Sequence, residues 1–276
     1  MTTGSQLQSQ LQRPTQTITL SQSDTVAQWA STGETQRIWT AMTALGTDIY
    51  ACVWNGDIYK QTGGTGAFVA LSQTSRQWFA MTTLGSDVYA SVYNGDIYKQ
   101  TGGSGSFNAL VQTTRAWTSL TTLGNDVYAS VWQGDIYKQT NGTGSFAALG
   151  QTSRLWSRLT TINNDVYATV DSSGSYTGDI YRQVGGQGSF SALGQTSRRW
   201  FGIAGHGNDI YACVLSGDIY KQTNRTGDFV AIGQTTRSWN NVFTVGNDVY
   251  SLASSIFTGT MANTPIYRIT ILPNSE

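Results

Sequence analysis

Apolar and polar positions alternate along this chain in short bursts, not in helical turns. In Val88-Tyr89-Ala90-Ser91-Val92-Tyr93, β-branched and aromatic residues are separated by small ones, as in a strand. The run ends on Asn94-Gly95, the strongest short-range hairpin signal. Asp96-Ile97-Tyr98-Lys99-Gln100 then reads as the returning strand, TGGSG as the next turn, and Ser106-Phe107-Asn108-Ala109-Leu110 as another strand. With the stretch opened by Arg76-Gln77-Trp78, this makes four short strands in about 40 residues. No sustained 3.6-residue apolar period competes with that reading.

The same pattern recurs. Arg-x-Trp appears at Arg37/Trp39, Arg76/Trp78, Arg115/Trp117, Arg154/Trp156, Arg198/Trp200 and Arg237/Trp239, at spacings of 39, 39, 39, 44 and 39 residues. Eleven residues after each Arg stands an Asp, at Asp48, Asp87, Asp126, Asp165, Asp209 and Asp248, followed by Ile or Val and then Tyr. Gly-Asp-Ile-Tyr follows at 56–59, 95–98, 134–137, 178–181 and 217–220. The one long spacing is a five-residue insertion in DSSGSYTGDIY, a lengthened hairpin. Four strands per unit, repeated six times, predict an all-β fold: a six-bladed β-propeller of four-stranded antiparallel blades.

The ends predict how the ring closes. The sixth unit reaches a strand at Ile266–Thr270 and stops at Glu276 without a fourth. Residues 29–37 align with 68–76, Trp29 taking the place of Phe68. The N-terminal strand is therefore expected to complete the last blade and remove a frayed edge. This divides the chain into a Gln/Ser/Thr-rich segment, 1–24, and a single propeller, 25–276, with repeats starting near 37, 76, 115, 154, 198 and 237.

Composition narrows the function. Of 276 residues only 12% are charged, while 102 are Ser, Thr, Asn or Gln, and sixteen basic residues balance sixteen acidic ones. A nucleic-acid binder needs a basic excess, so nucleic acid is excluded as the expected partner. No apolar run approaches a membrane span, and MTTGSQLQSQLQRPTQ lacks the basic and apolar regions of a signal peptide. A soluble protein is expected, cytoplasmic or released by a non-classical route. Cys52 and Cys213 have no metal-ligand spacing and replace the small residues Ser91, Ser130 and Thr169, so they read as buried free thiols. His206 is alone and reads as a surface-loop residue. No cofactor or metal is expected. Catalytic groups break repeat symmetry, and here Asp, Arg, Trp and Tyr come in sets of five or six; an enzyme is not expected.

Recurrent residues are either blade architecture or several copies of one binding site. The Asp of Asp-Val-Tyr reads as a turn residue, and its Tyr as packing between blades. The 2–3 hairpin, the end of strand two and the start of the next strand one share one end of the sheet. That end gathers Trp54, Tyr93 and Trp132, the turn residues Asn55, Asn94 and Gln133, and Arg76/Trp78, Arg115/Trp117 and Arg154/Trp156. Aromatic planes, an Arg fork and amides in one cleft suit a neutral sugar, whose ring stacks while its hydroxyls take donors and acceptors. The rival reading is an Arg–Trp stack that only cements neighbouring blades. In the sugar reading, Trp54 pairs with Arg76/Trp78, Tyr93 with Arg115/Trp117, and Trp132 with Arg154/Trp156.

The repeated pattern W-x-x-(M/L)-T-T-L-G-x-D-V-Y-A-x-V-x-x-G-D-I-Y-K-Q-T-x-G-x-G-x-F-x-A-L-x-Q-T-x-R, over residues 27–271, resembles the tectonin-type propeller lectins. It is most similar to the fucose-binding propeller lectins of insect-pathogenic bacteria. The resemblance implies multivalent binding of fucosylated or O-methylated glycans at sites between blades, with galactose-containing glycans as a further class and with homo-oligomerisation. Those bacterial lectins have seven blades and six are counted here, a number also met in tectonin-type lectins. A non-enzymatic protein-interaction scaffold is the alternative.

Overall fold

In the computed structural model, residues 30–173, 177–246, 248–253 and 266–270 are described. Trp29, the N-terminal segment and the centre of the fourth-repeat insertion lie outside them. The second repeat shows the unit: strands Arg76–Leu84, Asp87–Gly95, Ile97–Gln100 and Asn108–Ala109, each antiparallel to its predecessor. The fourth strand is shorter than the pattern suggests, because Ser106 and Phe107 still belong to the turn and only two residues reach the ladder.

Three features build each unit. A register shift between Trp78 and Ala80 twists the first strand just past the repeat's Trp. The turn between strands three and four is a single 3-10 turn carrying Gly102 and Gly103 at φ 64. It is held from afar: Asp87 Oδ1 accepts from Gly102 N at 3.0 Å while Lys99 Nζ sits 2.9 Å from Oδ2. The Asp of Asp-Val-Tyr thus braces a turn fifteen residues away instead of its own, as Asp48, Asp126 and Asp209 also do. The Asp of Gly-Asp-Ile-Tyr is the turn residue; Asp96 Oδ1 accepts from Ile97 N and Gln112 N at 2.7 and 2.8 Å.

The apolar core lies between repeats. One cluster joins Tyr50, Cys52 and Ile58 of the first repeat to Trp78, Met81, Val88, Ala90 and Phe107 of the second. The Tyr of Asp-Val-Tyr crosses the same gap: Tyr50, Tyr89 and Tyr128 donate to Gly103, Gly142 and Gly186 O of the following repeat at 2.9, 3.2 and 3.1 Å. Glycine suits position 103, where φ is 64 and a Cβ would meet Leu45 Cδ2 and approach the Tyr50 hydroxyl, although the fifth repeat takes Arg225 there at φ 59. Gln73, Gln112, Gln151 and Gln195 add a polar stitch. Each Oε1 accepts from the backbone N–H of Phe107, Phe146, Phe190 or Phe229 in the next repeat, at 2.9–3.0 Å. Cys52 and Cys213 are buried free thiols. His206 is half-buried at the end of strand Trp200–His206 and not in a loop.

Backbone ladders continue from repeat to repeat: Gly56 lies opposite Arg76, Gly95 opposite Arg115, Gly134 opposite Arg154 and Gly217 opposite Arg237. Between the fourth and fifth repeats an ion pair takes that place. Asp171, fully buried, accepts from Arg199 Nε and Nη2 at 3.0 Å each. The first and last described strands also meet. Ala30 pairs with Arg268 and Ser31 with Tyr267, and Asn241 Nδ2 of the sixth repeat donates to Thr40 O of the first at 3.1 Å. First strands of all six repeats line one central cavity of about 260 Å³.

Candidate ligand-binding junctions and the axial end

The twelve residues gathered in sequence at one end of the sheets divide in three. Trp78, Trp117 and Trp156 are 1% exposed and cannot receive a ligand. Trp78 meets the rings of Tyr98 and Phe107 at 5.1 and 6.2 Å, and its counterparts repeat the arrangement. Arg76, Arg115 and Arg154 stay half-exposed, each guanidinium over a Tyr ring: Tyr98 at 4.8 Å, Tyr137 at 4.6 Å and Tyr181 at 4.8 Å. Arg37, Arg198 and Arg237 sit in the same way on Tyr59, Tyr220 and Tyr267. Each Arg therefore stacks chiefly on the Tyr of strand three, which is the Tyr of Gly-Asp-Ile-Tyr in five repeats and Tyr267 in the sixth, with the Trp behind it.

Trp54, Tyr93 and Trp132 go elsewhere. Pairing Trp54 with Arg76/Trp78, Tyr93 with Arg115/Trp117 and Trp132 with Arg154/Trp156 does not occur, and strand alternation is the reason. Trp54 lies opposite Gln77, Tyr93 opposite Ala116 and Trp132 opposite Leu155, so each shares a face with the residue between Arg and Trp. That face looks inward. Trp54 packs on Phe79 and Tyr93 at 5.8 and 5.6 Å, and Trp132 on Phe201 at 6.2 Å. Phe79 and Phe201, from the second and fifth repeats, flank the guanidinium of Arg158 from the fourth, so this aromatic group spans the axis.

Asn55, Asn94 and Gln133 are exposed at the hairpin tips, with φ of 52, 53 and 56. Asn is at ease there and Gln is not, yet the left-handed turn is kept because the Gly after it starts the ladder to the next repeat. Each junction thus presents an exposed hairpin tip beside a half-exposed Arg, with Thr74 and Ser75 or their counterparts exposed just before that Arg.

Two residue sets were missed by reading the sequence. The Gln of Gln-Thr-x-Arg recurs at 73, 112, 151, 195 and 234, with Glu34 in its place before Arg37, and that recurrence marked it as a stitch between repeats. Arg158 stands two residues after the Trp, where other repeats have Ala41, Ala80, Ser119, Gly202 and Asn241. A long cation at a small-residue position was the signal. Burial pulls its guanidinium down to about 10, and the buried Cys52 and Cys213 thiols near it are pushed up to about 12. Among the described residues no group of three His, Cys, Asp or Glu could hold a metal ion, and no helix is long and apolar enough to cross a membrane.

No protein-family profile matches the chain, and no curated protein is significantly similar to it in sequence. Solved structures are similar in fold. The computationally designed Ika8 protein matches with TM-score 0.56 and 17% identity over 84% of this chain and 71% of that one. YCF48 bound to D1 peptide matches with TM-score 0.59 and 11% identity over 85% and 77%. BamB from Moraxella catarrhalis matches with TM-score 0.51 and 14% identity over 87% and 85%. Those proteins are β-propellers, and this chain shares their repeated four-stranded antiparallel units. The fold is a β-propeller. At these identities the likeness speaks for the propeller architecture alone.

Proposed function

We propose that the protein is a non-enzymatic, multivalent carbohydrate-binding propeller, taking fucosylated or O-methylated glycans at equivalent sites between blades. In this reading the ring has six blades and is closed by the N-terminal strand, which the pairing of Ala30–Ser31 with Ile266–Thr270 supports. The observation that carries the reading is recurrence. Six times the chain holds a guanidinium over a Tyr ring, and at Arg76, Arg115, Arg154 and Arg237 that Arg lies across the ladder from the Gly of the preceding hairpin, at a neutral surface rich in hydroxyls and amides. Guanidinium and tip amides supply donors and acceptors for sugar hydroxyls, and the Tyr edge supplies apolar surface. With the Trp residues buried, Arg76, Arg115, Arg154, Asn55, Asn94 and Gln133 form the contact set. A protein-interaction scaffold is the second reading; the solved neighbour YCF48 was captured with D1 peptide.

A shallow sugar site binds in the millimolar range, about 4 kcal/mol, whereas several sites on one ring raise avidity by about 10²–10⁴ on a dense surface. The expected result is binding to dense fucosylated, O-methylated or galactosylated arrays and agglutination of cells, with weak monosaccharide binding. Combined Arg76→Ala, Arg115→Ala and Arg154→Ala substitutions should abolish agglutination with little change in melting temperature. Silence toward all three glycan classes sinks the lectin reading in favour of the scaffold.

A further inference from the structure

The axial end of the propeller holds a buried cation with no counter-charge among the described residues. Arg158 is 3% exposed. Its Nη1 donates to Thr118 O and Ser157 O at 2.9 Å each, and its Cζ lies over the rings of Phe79 at 4.5 Å and Phe201 at 5.6 Å. Nε and Nη2 are buried and have no hydrogen-bond partner among the described residues. Nor has Trp54 Nε1, whose indole packs on the same Phe79 ring. The described carboxylates that form ion pairs do so with other cations, among them Asp171 with Arg199, Asp165 with Arg182 and Asp87 with Lys99. The titratable groups that act on Arg158 are the Cys52 and Cys213 thiols, which stay neutral.

A charge taken out of water is costly unless it is paired and its donors are satisfied. The fold accepts that cost at one repeat only, where the others carry Ala, Ser, Gly or Asn. Nε and Nη2 lie on one edge of the guanidinium and point in parallel, the donor spacing that a carboxylate's two oxygens match. A single halide or hydroxyl oxygen must share the two donors at bent angles, whereas a carboxylate gives each donor its own acceptor. With two carbonyls on Nη1 and two Phe rings against Cζ, the unpartnered Nε/Nη2 edge is what remains for a ligand. The indole N–H of Trp54 is a third unspent donor; Trp54 and Tyr93 pack beside Phe79 and Trp132 beside Phe201, and all three are half-buried, open in part to solvent.

We propose that Arg158 and Trp54 form one axial site per chain for a small carboxylate-bearing ligand, with Trp54, Tyr93 and Trp132 as its aromatic wall. The carboxylate comes either from a free short acid or from an acidic sugar. The site is independent of the peripheral sugar junctions. Titrate the full chain with acetate, glucuronate, glucose and chloride at constant ionic strength, following tryptophan fluorescence and calorimetric stoichiometry. A saturable response near one per chain to a carboxylate, and not to glucose or chloride, is expected. Acetate alone sufficing assigns a free acid; a response to glucuronate only assigns the sugar acid. Arg158→Met should abolish the response, Arg158→Lys, which keeps the charge but not the fork, should weaken it about tenfold or more, and Trp54→Phe should weaken it while the protein still melts cooperatively. Arg76→Ala should leave it unchanged, so that failure here and failure of the lectin reading are told apart. No saturable response to either carboxylate, an equal response to chloride, or a response that survives Arg158→Met and Trp54→Phe overturns the proposal.

Discussion

The periphery and the axis of this propeller are built on opposite principles. At the periphery the repeats solve the same problem in the same way: Trp behind Tyr, Arg in front, Asp paired with Lys or Arg by the far turn, Gln across to the next repeat. Along the axis the repeats part company. Two residues past the Trp come Ala41, Ala80, Ser119, Arg158, Gly202 and Asn241. Space decides the differences. A Cβ on Gly202 would collide with Cys213 Sγ and the backbone of Asn241 and Val242, whereas Arg158 extends between the Phe rings of two other repeats. The lesson concerns how a repeat protein acquires individuality. Positions that touch only the neighbouring repeat face identical surroundings and stay alike. Positions that reach the axis meet all repeats at once, so one substitution there is felt by several.

The largest expected effect tests whether the two ends of the repeat array depend on each other. Deleting residues 1–36 removes Ala30 and Ser31 from the ladder on Ile266–Thr270 and bares that strand. The fragment 37–276 should aggregate or lose its single cooperative transition, read by calorimetry. A soluble, sharply melting fragment would show that the first and sixth repeats hold together without the N-terminal strand.

Next in size is a contrast of sign. Trp78→Ala, Trp117→Ala and Trp156→Ala should each destabilise by about 3–5 kcal/mol and agree within about 1 kcal/mol, since each empties the same pocket between repeats. Arg158→Met should do the reverse in ligand-free buffer, raising stability by roughly 1 kcal/mol, because a thioether of similar length fills the space without an unpaired charge. Denaturant melts of the four variants decide it. Unequal Trp costs would mean the periphery is less uniform than its geometry; a destabilised Arg158→Met would mean that the two carbonyls and two Phe rings already compensate the charge.

The smallest effect belongs to the surface pairs. The Lys60 ammonium and the Gly63 N–H hold Asp48 below the usual carboxylate range. Burial pushes Asp87 up, but the bond to Lys99 and the Gly102 N–H outweigh it and leave it lowered. Lys60, Lys99 and Lys138 are raised by their Asp partners. For the carboxylates, stability is present above the unfolded value near 3.8 and is lost as pH falls through the lower folded values. For the lysines it is present below 10.5 and is lost as pH rises through the higher folded values. Melting temperature should therefore be flat between about pH 4 and 10 and fall on both sides, and Asp87→Asn should soften the acid limb by less than about 1 kcal/mol. High salt should shrink the difference, and a limb that ignores salt would mean that these exposed pairs do not set it.

Much of this was legible in the sequence because it depends on neighbours along the chain. The 39-residue period, the Asn-Gly hairpins and the alternation of Val, Tyr and small residues set the strand order and the four-stranded unit, since turns and strand faces are local properties. The inter-repeat Tyr and the buried thiols followed from period alone. What the tertiary structure decided is how side chains from different strands meet. One residue of alternation sends Trp54 inward and Arg76 outward, so two residues joined by proximity in the sheet end on opposite faces. Asp87 reaches a turn fifteen residues on because strands one to three fold back beside it. Arg158 finds Phe79 and Phe201 only when six first strands converge on an axis, a meeting that no single repeat encodes.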